Sequence, residues 1–240
     1  MSAPSPALLA ITSWEWIIRN RKVILHLLLQ HVQLTVVAVT VGFLISFPLA
    51  VYAYRHRAAY LPITWITGLL YTIPSLALFV LLLPFTGLSI TTVEVGLVSY
   101  TLLILIRNTV VGLRGVPEDV KDAARGMGYT DGQLLWRVEL PLAVPAIVAG
   151  IRIATVSTIG LATVGALIGR GGLGKLILDG LNILYATEYL LGALLSVALA
   201  LLADGLLLVG QRLLTPWARG RASRMRGEVP LRKAPSLIGR

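Results

Sequence analysis

Gly169–Lys175, GRGGLGK, carries the first two parts of a phosphate-binding loop: a glycine, four residues, then Gly-Lys. In such a loop the backbone N–H groups cradle phosphates, the lysine reaches the outer ones and a following Ser or Thr holds magnesium. Here Leu176 stands in the hydroxyl position, and an apolar stretch precedes the loop. Neither suits nucleotide chemistry. Ser157 and Thr158 show no His/Asp partner pattern for a hydrolase. His26, His31 and His56 lack metal-ligand spacing, so interfacial or packing roles are expected. The chain has no cysteine, which excludes disulfides and thiolate sites. No catalytic residue, no metal site and no cofactor are therefore expected on this chain. Trp65, Tyr71, Phe79, Phe85 and Tyr100 could face a quaternary ammonium ion, although packing and lipid contact are the commoner uses of such rings.

The elements that hold these residues are apolar. Of 240 residues, 56% are hydrophobic and 13% charged, about half the ~25% of soluble domains. Mean hydropathy is +0.82. That composition fits a membrane-spanning protein. A net charge of +10 raises the question of nucleic acid, but the basic residues sit in short loops and a tail beside apolar segments. No removable leader is expected, because no basic region leads into an apolar stretch and a small-residue cleavage site. Five spans are expected: Leu27–Tyr54, Leu61–Leu83, Ile90–Ile106, Leu142–Ile168 and Tyr189–Val209. Each has about 17 residues or more, enough to cross ~30 Å of hydrocarbon as a helix. Pro48 and Pro74 lie inside spans, where neighbouring helices can satisfy the freed backbone groups. Gly42, Gly68, Gly150, Gly160 and Gly165 suit close helix packing.

Orientation follows from Lys and Arg. Fifteen of the 21 fall on one side: Arg55 and Arg57, five between Arg107 and Arg137, and eight from Arg212 to Arg240. That side is expected to be cytoplasmic, with the N-terminus and Gly169–Lys175 outside. The Arg19–Lys22 cluster opposes this weakly, and a short sixth span near Leu8–Ile18 would reverse the N-terminus. Residues 1–26 are instead read as an interfacial segment, with Trp14 and Trp16 at headgroup level. Residues 27–213 form the transmembrane domain, and 214–240 a basic, disordered cytoplasmic tail. Arg152 and Asp204 then lie within spans at similar depth, roughly 12–15 Å from one face. Charges there must be paired or hydrated. An interhelical pair is the favoured reading, and a place on a solute path is the other.

The cytoplasmic connection Arg107–Pro141 is patterned for structure. Pro117 suits a helix start, Glu118 and Asp119 favour its first turn, and Gly128 is a ready stop. Val120, Ala123, Ala124 and Met127 share one apolar face at helical spacing. Thr130 and Gln133 stand at capping-box spacing, with Tyr129 and Leu134 placed as a hydrophobic staple. They start a second short helix that should end before Pro141. The first helix could dock into a partner's groove or pack on its own membrane domain.

Asp122-Ala123-Ala124, Gly128, Val138 and Leu140-Pro141 resemble the EAA loop of ABC importer permeases, with Asp for Glu and Val for Ile. The stretches "IRNTVVGLRGV", "ALIGRGGLGKLI" and "LLLQHVQLTVVAV" are similar to the osmoprotectant branch, which handles glycine betaine, choline, carnitine or proline. The resemblance covers roughly Trp14 to Pro216. It implies an all-α polytopic bundle in the bacterial inner membrane. This would be the permease subunit of a compatible-solute importer, working by alternating access. It implies a second permease subunit, ATPase subunits carrying ATP and Mg, and a separate extracytoplasmic binding protein. Asp122, Ala123, Ala124, Gly128, Leu140 and Pro141 would form the coupling region. Gly169, Gly171, Gly172 and Gly174 would form a flexible outer turn, a possible gate. An importer for another small solute, such as an amino acid or sulfonate, is the nearest alternative. A self-sufficient secondary transporter would call for internal repeats, and none stands out.

Overall fold

A computed structural model describes residues 13–215, and within them every regular element is helical. The elements are α1 (Trp14–Arg55), α2 (Arg57–Thr72), α3 (Ser75–Thr86), α4 (Ile90–Arg114), α5 (Glu118–Gly126) and α6 (Asp131–Leu134). A π turn, Leu135–Glu139, leads into α7 (Leu140–Val164). A 3₁₀ turn, Gly165–Ile168, precedes α8 (Gly174–Asn182) and α9 (Ala186–Leu214). Residues 1–12 and the expected tail from 216 onwards lie outside the described residues.

Four helices are long and apolar enough to cross a membrane, and the pair α2–α3 is bent by 97°. The second expected span is therefore broken. Pro74 caps α3, and Ile73 before it is extended, as the residue before a proline prefers. The Tyr100 hydroxyl donates to the carbonyl of Ile73, which satisfies a group the break frees. Pro48, Pro62, Pro84 and Pro145, by contrast, stay inside helices. The first span also differs from expectation. Residues 14–26 are not a separate segment but the start of one 42-residue helix. At 1.5 Å per residue α1 is about 63 Å long, roughly twice the hydrocarbon thickness. Ser13 caps it by accepting from the Trp16 N–H. Its first turn is tied to α9: the Ser13 N–H donates to Thr187, and the Trp16 ring meets Tyr185 edge-on.

The centre is α4, packed chiefly against α1 and α7. Leu34, Ala38, Phe79, Val93, Leu97 and Ala162 are fully enclosed toward the end that carries the 3₁₀ turn. Ala50, Ala53, Ile106 and Val110 form a second cluster nearer the coupling loop. Small residues set the spacing. A Cβ on Gly42 would strike Thr101, and one on Gly150 would sit 2.5 Å from the Asn108 Cβ. Gly68 and Gly160, expected to do the same, have open space instead.

Candidate functional site

The short helix α5 is held between the ends of three long ones. Pro117 is its cap residue rather than its first helical one, and Glu118 and Asp119 occupy the first turn. Gly128 stops it at φ +83°. The Tyr129 N–H donates to the Ala124 carbonyl at 3.2 Å and the Gly128 N–H to that of Arg125 at 2.9 Å. This is a Schellman closure, and its left-handed position favours glycine. Thr130 and Gln133 then form the full capping box of α6.

The second short helix does not end before Pro141. It passes through the π turn straight into α7, so that Asp131–Ile168 is one 38-residue span. The Leu140 N–H reaches back five residues to the Leu135 carbonyl. Pro141 follows at the first turn of α7, where its missing N–H removes no essential rung. Leu140 is buried with Leu113, Leu135, Ala143 and Ile147. Leu140 and Pro141 thus anchor the loop to its span instead of facing outward.

The face of α5 divides. Ala124 and Lys121 turn inward and are buried, whereas Asp122, Ala123 and Met127 are exposed. Ala123 and Ala124 therefore do not share an outward face: the outward apolar contact is Ala123 with Met127, four residues on. Asp122 is 70% exposed and accepts from Arg125 at 2.8 Å.

What holds α5 inward is an ionic group absent from the sequence expectations. Lys121, only 4% exposed, donates to Glu118 at 2.9 Å and stands 3.9 Å from Glu139. The Tyr54 hydroxyl donates to Glu139 at 2.7 Å, and the Lys121 ammonium lies 5.8 Å from the Tyr54 ring centre. The end of α1, the short helix α5 and the π turn thus meet on one buried charge set. Burial opposes the Lys121 charge, but the bonds to Glu118 and Tyr54 outweigh it and raise the ammonium above its ordinary range. A signal did exist: Glu139 lies between Val138 and Leu140 at the edge of a span, where a lone carboxylate needs a partner.

Gly169–Lys175 is a packed knot rather than a flexible turn. Gly169 and Gly172 have φ of +82° and +53°. A Cβ on Gly172 would come within 2.7 Å of the His31 Cβ, and one on Gly174 within 2.6 Å of the Thr163 Cα. The Leu173 N–H donates to His31 Nδ1 at 3.2 Å, so Nε2 carries the proton and donates to the Ile159 carbonyl at 3.0 Å. The N–H groups of Gly169, Arg170, Gly174 and Lys175 are bonded to nearby carbonyls. Lys175 pairs with Asp179 at 2.7 Å. The groups that would cradle a phosphate are thus engaged within the chain.

Arg152 and Asp204 meet across α7 and α9. Nε and Nη2 of Arg152 donate to the two carboxylate oxygens at 2.9 and 2.8 Å. Gln211 extends the set, accepting from Arg152 at 3.4 Å and donating to the Pro145 carbonyl at 3.1 Å. The pair is partly exposed along a groove of about 500 Å³ that includes Ser157. Glu94 on α4 is a further intramembrane carboxylate, and its Oε2 is buried with no hydrogen-bond partner among the described residues. Of the rings considered for a cation, Phe79 is enclosed in the core and Phe85 is 86% exposed. Trp65 and Tyr71 line one groove with Arg107, and Tyr71 meets Tyr100 edge-on.

Residues 38–219 match the family described as binding-protein-dependent transport system inner membrane component. The choline transport system permease protein OpuBB of Bacillus subtilis is 39% identical over 78% of this chain and 86% of its own length. The osmoprotectant import permease protein OsmW of Salmonella typhimurium is 37% identical over 84% and 96%. Among solved structures, a chain of the MetNI methionine ABC transporter in an inward-facing conformation superposes with a TM-score of 0.69 at 25% identity. It covers 78% of this chain and 93% of that one. The loop, the helix order and these likenesses agree: this chain belongs to the binding-protein-dependent inner membrane components, and it is a permease subunit of an ABC importer.

Proposed function

We propose that this permease carries compatible solutes such as glycine betaine, choline or carnitine, and that α5 is its ATPase-coupling helix. The solute reading rests on the relatives' names, which concern choline and osmoprotectants. The coupling reading rests on one observation: α5 shows Asp122, Ala123 and Met127 outward while Lys121 fixes its inner face to Glu139, on the element that continues into α7. A push on α5 thereby reaches, through the Lys121–Glu139 contact, an element continuous with a membrane span. In this reading α5 and the C-terminus are cytoplasmic, ATP and Mg stay on the partner subunits, and a binding protein delivers solute at the opposite face. The outer knot of Gly169, Gly171, Gly172 and Gly174 sits at the outer gate.

A second permease subunit, identical or paralogous, completes the path. The unpartnered Glu94 Oε2 and the outward leucines of α9 (Leu194, Leu201, Leu206 and Leu213) support this, since one chain leaves both unfinished. Gly128→Trp tests coupling. It should leave membrane insertion and solute-loaded binding-protein docking intact and abolish transport and ATPase stimulation. Normal stimulation would remove α5 from the coupling role. Uptake of labelled glycine betaine and choline by the reconstituted complex tests the solute.

A further inference from the structure

Beside α5 lies a concavity of about 630 Å³ whose lining is mostly polar, formed by Tyr54, Arg57, Arg114, Glu118, Lys121 and Arg125. Its charges are unequally matched. Lys121 is balanced by Glu118 and Glu139, and Arg125 by Asp122. Among the described residues Arg114 meets the Tyr60 ring, 4.4 Å from its guanidinium carbon, and no carboxylate. Arg57 forms no ion pair among the described residues. Among the described residues, then, two guanidinium groups line this space without an ion pair of their own, beside a single carboxylate, Glu118, that Lys121 already engages. Their height is fixed by the helices: Arg57 opens α2 where α1 has just ended, and Arg114 closes α4. Both stand where long apolar helices leave the membrane, the level of lipid headgroups.

A second feature runs from the same place. Four and eight residues after Arg57, Leu61 and Trp65 fall on one stripe of α2. With Pro62 and Ile66 they line an almost wholly apolar groove of about 500 Å³. Leu61 is 74% exposed and Trp65 66%. A cationic recess at headgroup level, followed along one helix by an apolar furrow, matches a ligand with an anionic head and a hydrocarbon tail. We propose that Arg57 and Arg114 hold the phosphate of an anionic phospholipid in the leaflet on the α5 side, with one acyl chain along Leu61 and Trp65. Arg and phosphate pair through two parallel N–H···O bonds. Arg125 of α5 lines the same recess, so the bound head lies beside the seat in which α5 rests. The assignment concerns this chain's surface and holds whichever solute is carried.

Native mass spectrometry of the purified full-length permease with phosphatidylglycerol, phosphatidylcholine and inorganic phosphate tests it. Phosphatidylglycerol should be retained in preference to phosphatidylcholine. A basic residue near an anionic lipid is worth about fivefold in affinity, so Arg57→Gln with Arg114→Gln should weaken retention roughly thirtyfold. Arg137→Gln, exposed on the same side but outside the recess, checks that the effect is local and should change retention less than about twofold. Trp65→Ser should weaken the lipid while leaving any binding of inorganic phosphate unchanged. Equal loss in Arg137→Gln, or no loss in the double variant, overturns the proposal. Inorganic phosphate competing as well as the lipid would make this a free-phosphate site. If the complex assembled with its ATPase subunits holds no more phosphatidylglycerol than phosphatidylcholine, the recess belongs to a protein partner and the proposal falls.

Discussion

The two ends of the bundle each fasten a short segment to long helices, and they do so by opposite means. At the end proposed above for coupling, α5 hangs on a charged side-chain set, Lys121 with Glu118, Glu139 and Tyr54. At the outer end the Gly169–Leu173 knot is pressed backbone against backbone, with the uncharged His31 ring bridging Leu173 and Ile159. Long side chains can keep a contact while the helix carrying them tilts. Glycine contacts cannot, because the atoms already touch. The comparison therefore assigns compliance to the coupling end and rigidity to the outer one.

The largest test of that difference is Gly172→Val. A left-handed φ and the nearby His31 both oppose a branched side chain. Strain and overpacking together should cost about 3–5 kcal/mol and lower the unfolding midpoint in detergent by about 10 °C. A midpoint within a degree or two of the parent would show that the knot is loose. Lys121→Met should be smaller and local. It leaves Glu139 with Tyr54 alone, a loss of about 2 kcal/mol. Amide exchange should quicken through Glu118–Gly126 while the midpoint moves little. A global fall as large as that of Gly172→Val would erase the distinction between the ends.

Between the ends, the Arg152–Asp204 pair offers a weaker test. Either Arg152→Asp or Asp204→Arg should lower stability, and the exchange of both should restore most of the loss. Failure of the exchange would turn the pair from a helix lock toward a site on the path. The smallest effect is that of pH on the coupling end. The Lys121 value is raised on folding, so its contribution is fully present below the ordinary lysine value of about 10.4 and is lost only as pH rises through the folded value. Protection of the α5 amides, corrected for the intrinsic rise of exchange with pH, should be flat from about pH 6 to 9. Loosening within that window would mean that another group governs the seat.

The long helices were legible because an apolar run of sufficient length has few alternatives in a membrane. The caps of α5 and α6 were legible because they are local: Glu118–Asp119, Gly128 and Thr130–Gln133 each act within a turn. Prolines were not. Pro74 breaks a span while Pro48 and Pro145 do not, and Pro141 passes because a π turn precedes it. What a proline does to a span depends on the helices packed around it, as Tyr100 bonding the Ile73 carbonyl at the break shows, and that is a tertiary fact. The Lys121–Glu139–Tyr54 group was hidden for the same reason, since 67 residues separate Tyr54 from Lys121. The outer glycines were visible as glycines, but whether they served mobility or contact depended on His31, far away in sequence.

One helix takes part in both fastenings. His31 and Tyr54 belong to α1, 23 residues and about 35 Å apart along its axis. α1 is thus a mast stepped at both decks. A slide or roll of this single piece is registered at the knot and at the coupling seat together, without relay through the packed centre. Pro48 lies within the unbroken mast between these points, six residues from Tyr54. It has no N–H to offer the preceding turn, so flexure concentrates there. Bending of the lower length with α5 is taken up there, whereas slides and rolls about the axis pass on to the knot.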